Sequence, residues 1–145
     1  QDSTATIEQA KARGKYAIGY DTDMSAFAPD TVLTSAIFNW GPYYVSRVEA
    51  ALGDKWESQD YWGGLETGAV GLAPFNSKVP EDVRKLVADV EAKMKAKSFD
   101  AFDAVDAAIK KQDGTEWIAK GQSMTDAEKL SSTTFVEGVV GTLPK

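Results

Sequence analysis

Two short apolar segments, each followed by a polar turn, constrain the fold of this chain most. Residues 15–20, KYAIGY, are bounded by turn-forming residues and run directly into Asp21-Thr22-Asp23. Residues 31–38, TVLTSAIF, are rich in β-branched side chains and follow the turn at Pro29. Short apolar runs of this kind indicate buried strands. Because segments with helical periodicity flank both runs, the pattern predicts an α/β fold.

Helix signals lie on both sides of these strands. Asp2 and Ser3 offer N-caps for a first helix over residues 4–13. Pro42 is well placed to open a second helix that runs to Leu52, because proline is favoured at the first helical position. The apolar residues of this second helix repeat at helical spacing, so we expect them to pack in the core. They are Tyr44, Val45, Val48, Ala51 and Leu52.

The middle of the chain predicts extended segments and then a long helix. Residues 59–75 carry glycines and prolines among apolar side chains, a composition typical of extended segments that bend. Pro80 opens the clearest helix of the chain, with lysine and glutamate on its outer face. Its apolar stripe consists of Val83, Leu86, Val87, Val90 and Met94.

The last third of the chain predicts small elements. Asp113-Gly114 is a tight-turn signal between IKKQ and TEWIA, which predicts a hairpin. Thr125 and Glu128 have the spacing of a capping box, which predicts a short helix. Residues 135–141, FVEGVVG, form an apolar run that we expect to be a strand or a docked turn.

The composition excludes several functional classes. The 145 residues include no cysteine and no histidine, which excludes disulfides, thiolate nucleophiles, Ser-His triads and the usual zinc sites. A net charge of -6 argues against a nucleic-acid partner, since such surfaces need clustered cations. We expect no transmembrane segment and no signal peptide. The start at Gln1, without an initiator methionine, suggests a processed or truncated chain.

Asp21 and Asp23 are the most conspicuous candidates for chemistry. They follow a predicted strand, and ligands of open α/β sheets bind outside the carboxyl ends of strands. Strand-Asp-x-Asp-x-Ser resembles the nucleophile motif of haloacid-dehalogenase-type phosphatases, in which one carboxylate attacks phosphorus beside magnesium. The later strand, however, ends in FNW without an acidic pair. Alternatively, both aspartates cap the turn by accepting backbone N–H groups. The residues alone leave these interpretations open.

A longer pattern surrounds the two aspartates. From Asp2 to Gly141 the sequence resembles the C-terminal portion of the basic membrane protein family, the PnrA-like substrate-binding proteins of bacterial ABC importers. The resemblance implies a type I periplasmic-binding-protein fold of the ribose-binding type, with two α/β lobes that close on a ligand. The chain would then be one α/β unit holding the C-terminal lobe and hinge elements, with the first lobe missing. The segments that carry the resemblance are residues 2–56, 61–75, 109–114 and 135–141.

The resemblance also implies a division of the chain and a function. Residues 1–38 would belong to the ligand lobe, 39–75 to the hinge and the other lobe, and 76–145 to C-terminal helices and a hairpin. The implied function is non-catalytic: capture of a purine nucleoside or nucleobase at a periplasmic or membrane-anchored position, as a lipoprotein, and delivery to an ABC permease. No cofactor is expected. The alternatives are a phosphatase-like hydrolase using Asp21 and Asp23, and a structural or interaction fragment that binds no ligand.

The resemblance assigns site residues as well. Asp21 and Asp23 match an acidic loop in which a carboxylate accepts hydrogen bonds from ribose hydroxyls, and Phe38 takes the place of a lysine found in several nucleoside-binding members. An aromatic ring at that position suits stacking with a flat base. Without the first lobe, exposed apolar surface makes self-association an expectation. The predicted ligand-binding residues are Asp2, Ser3, Asp21, Asp23, Met24, Phe38, Asn39 and Trp40, and no metal-binding residue is predicted.

Overall fold

A computed structural model of the chain describes residues 3–143. Asp2, predicted both as a helix cap and as a ligand contact, lies outside these residues. The contacts divide the chain into two compact units, Gln1–Lys97 and Ser98–Lys145. Each unit combines helices with strands, so the predicted α/β class is confirmed. The sequence-based boundaries after residues 38 and 75 stay a prediction.

The first unit is built on a three-stranded sheet of order β1-β2-β3. Strands β1 and β2 run parallel, and β3 pairs with β2 in the antiparallel direction. The predicted helices and both predicted strands are confirmed, whereas the extended region 59–75 forms a strand only at β3. In chain order the elements are α1 (Ala5–Ala12), β1 (Ala17–Asp21), β2 (Val32–Phe38), α2 (Gly41–Leu52), β3 (Val70–Leu72) and α3 (Glu81–Lys95).

The core of the first unit lies between α1 and the sheet. Ile7 of α1, Val32 of β2 and Met24 of the loop between β1 and β2 are each at most 2% exposed and cluster with Ala28. Ser35 is fully buried beside them, and its Oγ accepts a hydrogen bond of 3.1 Å from the Met24 N–H. Gly19 of β1 lies against Ser35, so the two strands approach closely at this point.

The prediction that β1 is a buried strand is wrong for one of its faces. Gly19 is buried, but Ile18 and Tyr20, which point to the opposite face of the sheet, are 67% and 43% exposed. Strand β1 lies at the edge of the sheet, and α1 covers only the Gly19 side. The apolar composition of KYAIGY therefore does not reflect burial on both faces.

The prediction that the apolar stripe of α2 packs in the core is also wrong. No residue of α2 is buried within the described chain. The side chains of this stripe are apolar, but no described element packs over them. Its large side chains are exposed by 57% or more: Tyr44, Val45, Val48 and Leu52. Within residues 3–143, no helix has the length and apolar character required to cross a bilayer.

The second unit contains the predicted hairpin and the predicted short helix. Strands β4 (Ile109–Lys110) and β5 (Glu116–Ile118) pair in the antiparallel direction around Gly114, whose φ of 84° fits a tight turn. Helix α4 (Asp126–Leu130) carries the predicted capping box, in which the Glu128 carboxylate accepts a 2.7 Å hydrogen bond from the Thr125 N–H. Residues 135–141 form a docked turn that bridges to the hairpin through Val136 and Lys111.

One ion pair gives the second unit a predictable response to acid. The Lys129 ammonium lies 2.8 Å from the Asp100 carboxylate, which also accepts a hydrogen bond from the Phe102 N–H. Burial of Asp100 raises its pKa, but these hydrogen bonds and the charge of Lys129 lower it more, so the net pKa lies below its ordinary value. The stabilisation is therefore complete above the pKa of the unfolded chain and is lost as the pH falls through the lower folded value.

We expect the free energy of unfolding of the second unit to fall between about pH 5 and pH 2, in part through Asp100. Urea titrations at several pH values, followed by the NMR amide signal of Ile118 in this unit, measure that dependence. Asp100→Asn should flatten the acid limb modestly, because the carboxylate is 39% exposed and such pairs contribute little. The exposed Asp106→Asn is the matched control. Equal flattening in the two variants would contradict the assignment to the Asp100–Lys129 pair.

Candidate functional site

The carboxyl ends of β1 and β2 meet at one edge of the sheet. The strands are parallel, with Asp21 aligned to Ile37, so Asp21 and Phe38 end neighbouring strands. Helix α1 begins near the same edge, since Ile7 in its first turn shares a core cluster with Met24, which follows β1. The predicted site residues on these elements are therefore brought to one edge of the sheet.

Asp21 has a backbone conformation that few residues adopt. Its φ is 73°, in the left-handed region, where aspartate and asparagine are tolerated better than other non-glycine residues. Its side chain is exposed and accepts no hydrogen bond from any residue between 3 and 143. Backbone strain of this kind costs about 1–3 kcal/mol and is concentrated at functional sites. The carboxylate is thus held at the strand end, and the described residues leave its acceptor capacity unused.

The other residues predicted in this loop differ in their environment. Asp23 is exposed, and its Oδ1 accepts a 2.9 Å hydrogen bond from the Ser25 N–H, which is the turn-capping role considered from the sequence. Met24 is 2% exposed and packs in the core, so its side chain is not presented at the edge. Ser3 Oγ accepts a hydrogen bond from the Ala5 N–H at the start of α1.

Aromatic rings form a connected surface that starts at the end of β2 and continues onto α2, and we call it the aromatic cluster. The rings of Phe38 and Tyr20 meet edge to face at 5.7 Å, and Phe38 lies 6.0 Å from Trp40. Trp40 stacks on Tyr44 at 6.1 Å, and Tyr43 stacks on Tyr61 at 4.5 Å. Trp40 is 45% exposed and Tyr20 43%, so ring faces and edges remain accessible. The members are Tyr20, Phe38, Trp40, Tyr43, Tyr44 and Tyr61.

The sequence predicted only Phe38 and Trp40 among these rings. Three of the rings are spaced at i, i+3 and i+4, which places them on one side of a helix: Trp40, Tyr43 and Tyr44. This spacing could have identified them as a group from the sequence. Tyr61 lies in an irregular segment and carries no such signal. Asn39, also predicted, joins the sheet through its backbone N–H, which donates to the Ala69 carbonyl at 2.8 Å.

Arg47 extends the aromatic cluster along α2. Its guanidinium carbon lies 5.7 Å from the centroid of the Tyr43 ring, a distance typical of cation–π contacts. Its Nε is buried and has no hydrogen-bond partner among residues 3–143. An unsatisfied buried donor is costly, so this nitrogen marks a place where a further acceptor would stabilise the protein.

The candidate site consists of Asp21 and the aromatic cluster, and we call this surface the wall. A concavity of about 460 Å³ lies at the opposite end of the β1–β2 pair, and one of about 200 Å³ lies in the second unit. Neither is lined by Asp21 or by the aromatic cluster. The wall can stack a flat ring and accept hydrogen bonds at Asp21. Among residues 3–143 no three acidic side chains converge as metal ligands would.

Two sequence relatives share nearly the whole length of this chain. A purine-binding protein of Brucella abortus is 43% identical over 99% of the chain, which corresponds to 40% of that protein. A putative ABC transporter glucose-binding protein of Haloferax volcanii is 28% identical over 99% of the chain and 34% of its own length. The chain therefore spans about two fifths or less of the relatives that it matches.

Solved structures show the same fold. A transcriptional activator of the comK gene from Bacillus halodurans superposes with a TM-score of 0.58 at 28% identity, over 66% of this chain and 34% of that one. A solute-binding protein of an ABC transporter system from Aeropyrum pernix gives a TM-score of 0.53 at 14% identity, over 66% and 35%. The likeness to a solute-binding protein confirms the predicted fold class.

The family profile agrees with these relatives. Residues 1–100 match the family described as ABC transporter substrate-binding protein PnrA-like, which is more than half of the chain. The proteins of this family bind substrates and are not enzymes, which confirms the non-catalytic prediction and argues against the phosphatase alternative for Asp21 and Asp23. The chain belongs to the PnrA-like family of ABC transporter substrate-binding proteins.

Proposed function

We propose that this chain forms one wall of the ligand cleft of an extracytoplasmic solute-binding protein, which captures a purine nucleoside or nucleobase for an ABC permease. The observation that carries the proposal is the aromatic cluster at the ends of two parallel strands, where Asp21 also lies and accepts no hydrogen bond from any residue between 3 and 143. The relative from Brucella abortus, named as purine-binding, supports the choice of ligand class.

The two parts of the wall suit the two parts of a nucleoside. A purine is flat and apolar on its faces, so it gains stacking energy of about 0.5–1.5 kcal/mol on a ring such as Phe38 or Trp40. The ionised carboxylate of Asp21 accepts hydrogen bonds only, and a vicinal diol offers two donors. Charge-assisted hydrogen bonds of this type are stronger than neutral ones. Ribose would therefore lie toward Asp21 and the base toward the rings.

The proposal requires a second lobe that faces this wall and covers the other side of the ligand. Capture of a small molecule normally buries most of its surface, which one open wall cannot do. The relatives are more than twice as long as this chain, so they contain enough additional polypeptide for a second lobe. The exposed stripe of α2 supports the same proposal, because a packed lobe would cover it. Closure would then follow from ligand contacts made by both lobes.

The ligand class is open to a direct test on the full-length gene product. We expect one or more purine nucleosides or bases at 1 mM, added to a thermal-shift assay, to raise Tm by several degrees if Kd is near about 10 µM, because binding to the folded state alone stabilises it by RT ln(1 + [L]/Kd). Pyrimidine nucleosides serve as the matched control, since they offer the same ribose with a smaller ring.

Glucose belongs in the same panel, because a relative from Haloferax volcanii is named for it. A shift with glucose and none with any purine would replace the proposed ligand class by a sugar. If purines, pyrimidine nucleosides and glucose all leave Tm unchanged, the transport proposal is wrong and a structural or regulatory role is favoured. The similar structure named as a transcriptional activator is an example of a regulatory role.

A further inference from the structure

The concavity of about 460 Å³ in the first unit lies far from the proposed ligand wall along the sheet. It is formed at the amino-terminal end of the β1–β2 pair, whereas Asp21 and Phe38 end the same strands at the other edge. Its walls come from the end of α1, the residues that enter β1 and β2, and Lys78 after β3. We call it the basic concavity.

Its lining has a charge opposite to that of the chain as a whole. Lys11, Lys15 and Lys78 line it together with one carboxylate, Asp30, in a chain whose net charge is -6. Neither Lys11 nor Lys15 forms an ion pair within residues 3–143. A local excess of positive charge around a concave surface concentrates the field and attracts anions.

Lys78 is held in place before any ligand arrives. Its ammonium donates 2.9 Å and 3.1 Å hydrogen bonds to the Asp30 carbonyl and carboxylate, and it lies 5.8 Å from the centroid of the Tyr16 ring. An ammonium has three donors, so this arrangement leaves one for a ligand. The Asp30 side chain is 92% exposed, and such an exposed pair contributes little stability, so an anion can compete with it at small cost.

Local backbone structure brings Lys15 to the same place. Helix α1 ends in a turn at Gly14, whose φ of 61° is natural for glycine and strained for other residues. The Lys15 N–H then donates to the Ala10 carbonyl at 2.8 Å, which fixes the chain as it leaves the helix. Lys11 and Lys15 are therefore presented from a defined turn on one side of the concavity, with Lys78 as its third cation.

From this geometry we propose that the basic concavity binds a phosphate-bearing anion with two or more negative charges. The three lysine ammonium groups act as point charges on flexible side chains. Such groups suit a phosphate with several negative charges better than a single planar carboxylate. This function is separate from the proposed capture of a purine, because the two surfaces lie at opposite ends of the strands. A purine titration and a phosphate titration therefore succeed or fail independently.

Inorganic pyrophosphate is the probe for this proposal. We expect it to shift the backbone amide signals of Gly14, Lys15, Tyr16 and Thr31 saturably in nitrogen-15 NMR spectra of the 145-residue chain at low salt. Lys15→Gln and Lys78→Gln should each weaken binding about fivefold or more, since each removes a charge-assisted contact. Lys85→Gln on α3 is the control: it removes one exposed lysine outside the concavity and should change Kd less than about twofold.

Vesicles distinguish the two sources of such an anion. Binding of pyrophosphate without binding to phosphatidylglycerol vesicles assigns a free anion, whereas vesicle binding that Lys15→Gln abolishes assigns a phospholipid headgroup. Phosphatidylcholine vesicles control for adhesion without net charge. Absence of saturable binding to either probe overturns the proposal, and so does an equal effect of Lys15→Gln and Lys85→Gln, which would indicate only the overall charge of the surface.

Discussion

Gly19→Ala is expected to destabilise the first unit by about 2–3 kcal/mol, which corresponds to a decrease in Tm of about 8–24 °C. A Cβ on Gly19 would lie 2.9 Å from Met24 Cβ and 3.0 Å from Ser35 Cβ, and closer still to Ser35 Oγ. Ser35 is fully buried and Met24 is 2% exposed, so neither can move away without disturbing the core. Urea denaturation followed by circular dichroism measures the change.

Gly71→Ala is the matched control for this substitution. Gly71 lies in β3 of the same sheet, and the nearest atom to a Cβ at that position is Ile37 Cγ1, at 4.0 Å. We expect a change in unfolding free energy below about 1 kcal/mol, because this is ordinary van der Waals contact. Comparable losses in the two variants would contradict the assignment of the effect to close packing against Ser35 and Met24.

A second variant tests the origin of the strain. Ser35→Ala removes the Oγ that accepts the Met24 N–H, and alone it should cost about 1–3 kcal/mol for an unsatisfied buried donor. In the Gly19→Ala background the same change also relieves the tightest contact, so its cost should be smaller. A double-mutant cycle measures this coupling. Strict additivity would contradict the packing explanation.

The sequence predicted the elements of this fold better than it predicted their burial. Helical periodicity identified α2 and turn signals placed the hairpin at Gly114, because both depend on local chemistry. Periodicity also defines an apolar face, but it does not say which element covers that face. Val48 and Leu52 are therefore exposed in the described chain although their pattern is that of a core. A face that packs on distant polypeptide cannot be distinguished from one that packs locally.

For the candidate site, too, the sequence predicted the position of residues in the fold better than it predicted their packing. Its position at a strand end could be predicted, since Asp21 follows an apolar run and the parallel neighbour ends at Phe38. The burial of Met24 could not, because it depends on the loop folding back onto Ile7. Nor could the stacking of Tyr61 on Tyr43, which joins residues far apart in sequence through an irregular segment. Sequence patterns thus predicted where the two strands end, while tertiary packing determined which side chains are exposed there.

Asp21→Asn should separate a nucleoside ligand from a free base. Asparagine tolerates the left-handed φ of 73° and keeps one acceptor oxygen, so the loop should retain its conformation while the charge is lost. If Asp21 accepts hydrogen bonds from ribose hydroxyls, the substitution should weaken nucleoside binding by about tenfold to a hundredfold, the equivalent of about 1.5–3 kcal/mol. Binding of the matching base, which lacks ribose, should be nearly unchanged.

Calorimetric titration of the full-length gene product with a purine nucleoside and its base measures both affinities. Asp54→Asn is the matched control: Asp54 also has a positive φ, 54°, and is exposed, but it lies beyond the end of α2. Phe38→Leu keeps an apolar side chain and removes the ring, so it should weaken nucleoside and base equally, by about fivefold. If Asp21→Asn weakens nucleoside and base alike, the carboxylate does not bind ribose. If Phe38→Leu leaves both affinities intact, the base does not stack at the end of β2, and the proposed orientation of the ligand is wrong.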